Sequence, residues 1–337
     1  MNIHTNYSLK SLNTFGMDVY ARQFASFENP EQLLQLQEVS NEFSKCMVLG
    51  GGSNILFTKN ADRLVIKNEI RGIEIVKEDG DDVYIKVGAG VVWHQFVMYC
   101  IENGFAGIEN LALIPGNIGA SPMQNIGAYG VEIKDVFYSL EAYHKQEAKT
   151  YIFYNKDCEF GYRESVFKKK YKDQFIINRV TYKLSKKPAY NIEYGAIKQQ
   201  LEIMGCKDLS IKNIAAAVIA IRTAKLPDPK KIGNAGSFFK NPEISDTQFE
   251  QLKKEFPNMV GYPVKPGLVK LAAGWLIEQC GWKGYREGDA GCHPLQALVL
   301  VNYGNANGQE IFLLSEKILK SVFQKFQVTL EREVNIL

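Results

Sequence analysis

A run of three glycines followed by two small polar residues stands between two short apolar segments. The run is Gly50–Asn54, and the next residues, 55–57, form a predicted strand. Successive backbone N–H groups in a glycine turn can bind an anion, typically a phosphate. The run matches neither the GxGxxG nor the Walker A pattern, and no helical pattern follows it, so a Rossmann pyrophosphate site is disfavoured. It is therefore either an anion site or a tight connection between strands.

A second glycine-rich stretch extends from Gly104 to Gly130. It holds six glycines in 27 residues, against 28 in the 337 of the whole chain. Such a density predicts repeated turns or the close approach of a ligand to the backbone. From Pro115 onward the stretch carries amide and hydroxyl side chains and almost no charge, which is unusual for a surface loop. Together the two stretches predict a long ligand, such as a dinucleotide, running between them.

The segments that must position these loops are predicted helices and strands in irregular order. Apolar residues at i, i+3, i+4 and i+7 predict a helix from Trp93 that ends at Gly104. Helices are also predicted over Leu268–Gln279 and Gly308–Phe326, and a strand over Thr329–Ile336. Because helices and strands do not alternate regularly, the predicted fold class is α+β rather than a doubly wound sheet.

The composition is that of an ordinary globular chain with room for two or three domains. Hydrophobic residues make up 46% and charged residues 23%, and 40 basic against 37 acidic residues leave a net charge of +3. This balance predicts no nucleic-acid partner. The most apolar runs are shorter than the ~20 residues of a membrane helix, so no membrane insertion is expected.

The remaining compositional features predict a cytoplasmic monomer. The N-terminus lacks the pattern of a signal peptide. The six cysteines are widely and irregularly spaced, which favours reduced thiols in the cytosol over a metal site. The sequence has no long heptad pattern that would indicate a coiled-coil oligomer.

The two glycine-rich stretches closely resemble the flavin-binding half of the UDP-N-acetylenolpyruvoylglucosamine reductase (MurB) family. Further motifs of that family follow in the same order and cover nearly the whole chain. They are Cys158–Lys168, Arg222–Pro229, Gly233–Pro242, Lys270–Gln279 and Leu330–Val334. Residues 190–195 resemble the insertion of the longer, type I members.

The resemblance implies an FAD-binding fold of the vanillyl-alcohol oxidase type, with two α/β subdomains and a C-terminal α+β domain for the substrate. The implied boundaries are 1–67 with 328–337, then 68–222, then 223–327. It also implies that NADPH reduces a non-covalently bound FAD. The flavin then reduces the enolpyruvyl ether of UDP-N-acetylglucosamine enolpyruvate to UDP-N-acetylmuramate, a step in peptidoglycan precursor synthesis.

The implied chemistry asks for two kinds of catalytic group. Hydride transfer from flavin N5 to C3 leaves carbanion character at C2, delocalised into the carboxylate, so the carboxylate needs cations or acidic hydrogen-bond donors. The matching motifs assign this role to Arg163 and Glu333, and they assign to Ser237 the proton transfer to C2. Glu331 lies on the same strand face by its period of 2 and is the alternative to Glu333.

The resemblance also assigns residues that bind the ligands. For FAD these are Gly50, Gly51, Gly52, Ser53, Asn54, Pro115, Gly116, Gly119, Ser121, Asn125, Ile126, Gly127 and Arg222. For the UDP-sugar they are Tyr129, Tyr194, Lys225, Asn241 and Gln296. Cys292 and Tyr129 are the next candidate proton donors if Ser237 does not act.

Two other classes of function remain open. One is a carbohydrate or alcohol oxidase of the same FAD-binding superfamily, in which His94 would tether the flavin. The other is a nucleotide-binding regulatory module with a degenerate site, against which the intact set of Arg163, Ser237 and Glu333 argues. A visible spectrum followed by anaerobic NADPH and then the enolpyruvyl substrate distinguishes all three.

Overall fold

The computed structural model describes residues 2–194 and 196–337, so Gly195, the last residue of the predicted insertion, lies outside the described part. The chain divides into two compact units. The first unit holds residues 2–8, Tyr20–Gly52 and Ala61–Ala224. The second holds Leu9–Val19, Ser53–Asn60 and Lys225–Leu337. The break after residue 224 lies close to the predicted boundary at 222, and the division of the first unit into two flavin subdomains remains a prediction.

Strands and helices follow one another along the chain without a regular repeat. The strands are β1 (His4–Ser8), β2 (Tyr20–Phe27), β3 (Met47–Leu49), β4 (Ile55–Leu56), β5 (Ala61–Asn68), β6 (Ile73–Asp79), β7 (Asp82–Gly88), β8 (Gly127–Ala128), β9 (Val131–Glu132), β10 (Phe137–His144), β11 (Lys149–Tyr154), β12 (Phe175–Ser185), β13 (Gly233–Ser237), β14 (Glu243–Ser245), β15 (Gly261–Lys265), β16 (Leu268–Leu271), β17 (Arg286–Glu287), β18 (Ala290–Cys292), β19 (Val299–Asn302) and β20 (Asn335–Ile336). The helices are α1 (Glu31–Val39), α2 (Trp93–Glu102), α3 (Ile197–Ile203), α4 (Ile211–Lys225), α5 (Asp246–Glu255), α6 (Ala273–Gln279) and α7 (Gly308–Phe326).

The first unit contains two main sheets, each with its own apolar core. The smaller sheet has the order β1-β2-β5-β3, with β2 and β3 parallel to β5, and α1 buries Leu33 and Leu36 against it. The larger sheet is antiparallel, with the order β11-β10-β12-β7-β6. The predicted helix α2 is present and buries Trp93, Phe96 and Val97 in the core of this second sheet.

The second unit is built from small sheets and the long helix α7, whose predicted bounds are confirmed. Its larger sheet has the order β13-β19-β18-β17, and a three-stranded sheet has the order β14-β16-β15. The prediction of one helix over Leu268–Gln279 was wrong, because Leu268–Leu271 forms the central strand β16 and only the rest is α6. A pairing partner on each side outweighs the local helical pattern.

The C-terminal strand is shorter than predicted. The regular strand there is only Asn335–Ile336, which pairs in parallel with Ile55–Leu56. Both strands belong to the second unit, and Ile55–Leu56 lies within residues 1–67, so the C-terminal strand pairs with a segment of the first predicted subdomain. The Phe238 carbonyl, which accepts the Glu333 N–H, also lies within the second unit. The predicted grouping of 328–337 with 1–67 remains a prediction.

Two further properties concern the described residues only. Among them, no helix combines the length and the apolar character that crossing a membrane requires. In the same part of the chain, no three His, Cys, Asp or Glu side chains lie together as a metal site would need.

Candidate active site

In the first unit the triple-glycine run lies directly against the second glycine-rich stretch. A Cβ at Gly51 would lie 3.0 Å from Asn117 Oδ1 and 3.0 Å from Gly116 Cα, so only glycine allows this approach. Gly52 takes a left-handed φ of 63°. Asn117 is held in turn, because its Nδ2 donates to the Gly90 carbonyl at 3.1 Å. The two predicted loops therefore form one cradle of backbone.

The second stretch is fastened to the loop that follows β7. The Ile118 N–H donates to the Val91 carbonyl at 2.9 Å, and the Gly119 N–H donates to the Ala89 carbonyl at 3.0 Å. A Cβ at Gly119 would lie only 2.8 Å from the Ala89 Cβ. These contacts hold the turn at Gly119 against the loop that follows β7. The remaining residues of the two runs that are predicted to bind FAD are Gly50, Ser53, Asn54, Pro115 and Ile126, and their contacts with FAD remain predictions.

Two of the predicted FAD residues are turned into the protein instead. Ser121 and Asn125 are each 0% exposed. Ser121 Oγ and the Tyr182 hydroxyl share a hydrogen bond at 2.6 Å. Asn125 donates to the Gly161 carbonyl and accepts the Lys134 N–H, both at 3.0 Å. Their side chains therefore brace the loop, and a direct contact with FAD remains a prediction.

Arg222, on α4, is the group whose surroundings fit a bound anionic cofactor. Its Nε is buried and has no hydrogen-bond partner among the described residues. Burial lowers the pKa of Arg222, and a hydrogen bond with Tyr129 opposes that shift. Burial likewise raises the pKa of Tyr129, with Arg222 opposing. A buried guanidinium with an unused N–H matches an acceptor or anionic group of FAD.

Arg163 lies in a tight turn with a left-handed φ of 56°. Its guanidinium donates to the Gly127 carbonyl at 2.5 Å and to the Asn125 carbonyl at 3.3 Å. Glu132 is 3.8 Å away. The predicted catalytic arginine is thus held by the predicted FAD loop. Sequence reasoning missed Glu132, although an acidic residue soon after the glycine-rich motif was a signal for an arginine partner.

In the second unit, Ser237 ends a strand that bulges just before it. The pairing of β13 with β19 shifts register between Asn234 and Ser237, and Gly236 has a φ of 70°. Asn234 Oδ1 accepts the Gly236 N–H at 3.0 Å, which closes the turn. This is the kind of turn that the glycines and asparagine predicted. It presents the Ser237 side chain at the end of a rigid strand.

Glu333 lies on the segment next to Ser237 within the second unit. Its N–H donates to the Phe238 carbonyl at 2.9 Å, and its carbonyl accepts from Asn54 Nδ2 at 3.3 Å. Glu331 differs, because its side chain is 70% exposed and pairs with Lys240 at 3.0 Å. Glu333 is half-buried, unlike Glu331, and its catalytic role remains a prediction.

The predicted UDP-sugar residues of the second unit have different surroundings. Lys225 is exposed at the end of α4. Asn241 Oδ1 accepts the Ala273 N–H at 3.0 Å, so this side chain also begins α6. Gln296 Oε1 accepts the Leu298 N–H at 3.4 Å. The binding roles of these three residues remain predictions.

Two alternative candidates are already engaged within the protein. His94 Nδ1 accepts the Leu113 N–H at 3.0 Å, which gives the ring a structural role beside the glycine-rich stretch. The Cys292 thiol donates to the Ala297 carbonyl at 3.0 Å, and burial raises its pKa to about 12. The Cys292 thiol is 0% exposed, and its role as an alternative proton donor remains a prediction.

Two family models match the chain. One is described as an FAD binding domain and matches residues 21–146; the other is described as the C-terminal domain of UDP-N-acetylenolpyruvoylglucosamine reductase and matches residues 228–337. A reductase of that name from Flavobacterium johnsoniae is 52% identical over 339 residues, covering 100% of each chain. The chain belongs to the UDP-N-acetylenolpyruvoylglucosamine reductase family. The reductase of Amoebophilus asiaticus is 49% identical, again over 100% of each chain.

A solved structure has the same fold. The UDP-N-acetylenolpyruvylglucosamine reductase of Thermus caldophilus superimposes with a TM-score of 0.66 at 23% identity and covers 99% of this chain and 98% of that one. This confirms the predicted α+β class with its FAD-binding fold. As a member of the reductase family, which acts in peptidoglycan precursor synthesis, the chain is an oxidoreductase with FAD as cofactor and NADPH as reductant.

Proposed function

We propose that the protein reduces UDP-N-acetylglucosamine enolpyruvate to UDP-N-acetylmuramate. Bound FAD supplies the hydride chemistry, and NADPH provides the electrons. The similarity to named reductases over the whole chain supports the substrate. The single observation that carries the site is in the second unit, where Ser237 and Glu333 lie on adjoining hydrogen-bonded segments beside Phe238. A proton donor and a carboxyl group are the pair that this reaction requires.

Ser237 delivers the proton to C2 of the enolpyruvyl group. A serine hydroxyl is a weak acid, but the carbanion is a strong base, and the bulge before Ser237 fixes the backbone that carries the hydroxyl. Positioning of this kind supplies much of the rate of a proton transfer. Arg163 and a protonated Glu333 stabilise the charge that develops on the substrate carboxylate. The two carbonyl contacts of Arg163 keep its planar group oriented before the substrate arrives.

The cofactor and nucleotide contacts follow from the same loops. The cradle around Gly51 and the unused N–H of Arg222 support FAD binding. Tyr129, Tyr194, Lys225, Asn241 and Gln296 are the proposed UDP-sugar residues. NADPH and the UDP-sugar bind in the same site, one after the other.

The protein acts as a monomer in the cytoplasm. No observation favours the oxidase or the regulatory module.

The test separates the two half-reactions. The purified protein should show a flavin spectrum, which anaerobic NADPH bleaches and the enolpyruvyl substrate restores. Ser237→Ala should leave flavin reduction nearly normal and slow the second half-reaction about 10²–10⁴-fold. Ser237→Cys should recover part of the rate. Equal slowing of both half-reactions would make Ser237 structural, and a flavin that NADPH cannot reduce would overturn the proposed function.

A further inference from the structure

We infer that Asn110 is a positioning residue that, together with Asn191, clamps residues 190–194 onto the hairpin turn at Tyr129 and so orients Tyr129 and Tyr194. This inference rests on the proposed function, in which both tyrosines contact the UDP-sugar. Every residue that carries it lies in the first unit.

The turn itself needs support. Strands β8 and β9 are joined by Tyr129 and Gly130, with φ values of 49° and 80°. Two consecutive left-handed residues are typical of a type I′ hairpin turn. Glycine adopts this conformation readily, but a tyrosine there is strained by about 1–3 kcal/mol. Surrounding contacts must therefore hold Tyr129 in place.

Two asparagine amides supply those contacts. Asn110 Nδ2 donates to the Tyr129 carbonyl at 2.9 Å and to the Asn191 carbonyl at 2.7 Å. Asn191 Nδ2 donates in the opposite direction, to the Gly130 carbonyl at 3.1 Å. The carbonyls of Tyr129 and Gly130 are thus both hydrogen-bonded, and Asn191 of the segment 190–194 takes part as acceptor through its carbonyl and as donor through its side chain. Asn110 is only 1% exposed, so little water competes for its hydrogen bonds.

The clamp leads directly to the two tyrosines. The Tyr129 side chain interacts with Arg222, which opposes the rise of the tyrosine pKa caused by burial. A Cβ at Gly130 would lie 3.3 Å from the Tyr194 Cβ and 3.0 Å from Asn191 Nδ2, so the segment packs closely on the turn. Tyr194 itself is 49% exposed, so its side chain is available to a ligand.

The buried acceptor of Asn110 points to the same role. Its Oδ1 is buried and unpartnered among the described residues, which is an unfavourable state for a polar atom. The two hydrogen bonds of the Asn110 NH₂ group offset this cost, because one amide reaches two backbone carbonyls at once.

Asn110→Asp tests the clamp, because it keeps the shape and removes both N–H donors. In the FAD-bound enzyme without substrate, amide hydrogen exchange over 190–194 should become faster. KM for the enolpyruvyl UDP-sugar should rise about 5–30-fold, as expected for the loss of one or two hydrogen bonds. The rate of flavin reduction by NADPH should stay close to that of the wild type. Unchanged exchange over 190–194 would overturn the clamp.

Asn103→Asp is the matched control. Asn103 Nδ2 also donates to a backbone carbonyl, that of Tyr99 at 2.8 Å, but in an exposed position after α2. It should change neither the exchange over 190–194 nor KM. If Asn110→Asp does not retain FAD, Asn191→Ala removes one amide of the clamp and should raise both exchange and KM to a smaller extent.

A double-mutant cycle links the clamp to the tyrosine. Tyr194→Ala should raise KM by itself, and the double variant should raise KM by clearly less than the product of the two single effects, because Asn110 acts in part through Tyr194. Fully multiplicative effects on KM would overturn the positioning of Tyr194 by Asn110. Absence of enolpyruvyl turnover by the wild-type enzyme would instead overturn the proposed function, and the exchange measurement would still decide the clamp.

Discussion

The Arg163 guanidinium donates to the carbonyl of Gly127 at 2.5 Å, and the missing side chain of Gly127 makes this contact possible. A Cβ at Gly127 would lie 3.0 Å from Arg163 Nη1, 2.9 Å from the Val131 carbonyl oxygen and 2.9 Å from Glu132 Cγ. The predicted FAD loop and the predicted catalytic arginine therefore share one small space. A change in the loop must move the arginine.

Gly127→Ala tests this dependence. The added methyl should push the Arg163 guanidinium from its place and destabilise the protein by about 1–3 kcal/mol. Reoxidation of the reduced flavin by the enolpyruvyl substrate should slow more than flavin reduction by NADPH. Stopped-flow absorbance measures both steps. Gly161→Ala is the control, since a Cβ there meets only Glu164 Cβ at 3.7 Å and should be tolerated.

The two carboxylates of the C-terminal segment should behave differently. Glu331→Gln removes an ion pair with Lys240 in which the carboxylate side is 70% exposed; pairs near the surface contribute about 0–1 kcal/mol, so turnover should be nearly unchanged. Glu333→Gln keeps a hydrogen-bond donor but loses the acidic proton. The second half-reaction should slow about 10-fold or more. Equal effects of the two substitutions on kcat would count against Glu333 as a catalytic residue.

The contact between His94 and Leu113 should make stability depend on pH. Burial lowers the pKa of His94 below its ordinary 6.5, and Arg222 nearby lowers it further. The neutral ring accepts the Leu113 N–H, and a proton on Nδ1 would abolish this acceptor. Below pH 6.5 the unfolded chain takes up a proton that the folded protein resists, so stability is present above pH 6.5 and is lost as pH falls below it.

His94→Gln should reduce that loss, because an amide oxygen can accept the same N–H without titrating. The measurement is the melting temperature at pH 7.5 and pH 5.5 for both proteins. The decrease between the two pH values should be smaller in His94→Gln. His293, whose pKa is also lowered by burial, is present in both proteins and cancels in the comparison. Parallel pH curves for the two proteins would exclude His94 as a source of the dependence.

Asn178 should be replaceable with a gain in stability. It occupies a bulge of β12 and is 0% exposed, and neither Oδ1 nor Nδ2 has a partner among the described residues. Burying an unpaired amide is unfavourable, so Asn178→Val should stabilise the protein by about 1 kcal/mol and raise its melting temperature by roughly 2 °C.

Asn68→Val is the matched comparison. Asn68 is also buried, but its amide donates to the Ile177 carbonyl at 2.8 Å and accepts the Ile70 N–H at 3.1 Å. This substitution should lower the melting temperature, because it leaves two backbone groups unpaired. A loss of stability in Asn178→Val as large as in Asn68→Val would refute the argument.

Much of the fold followed from the sequence alone, for local reasons. The period of apolar residues in α2 and α7 determines which face is buried, and the density of glycines over 104–130 permits only short regular elements such as β8. The family motifs are short contiguous segments, so their recognition needs no tertiary contact. The α+β class, the FAD cofactor and the Asn234–Ser237 turn could all be predicted in this way.

Other features were decided by partners distant in the sequence. Leu268–Leu271 forms a strand because the neighbouring strands β14 and β15 pair with it on both sides. A segment of four residues is too short for its apolar pattern to distinguish a strand from a helix. Ser121 has the polar character of a ligand contact, but Tyr182 provides a buried hydroxyl that binds it in the core. The clamp of Asn110 joins residues 81 positions apart. Composition and spacing contain no record of such pairs, since only the folded chain brings their donors and acceptors together.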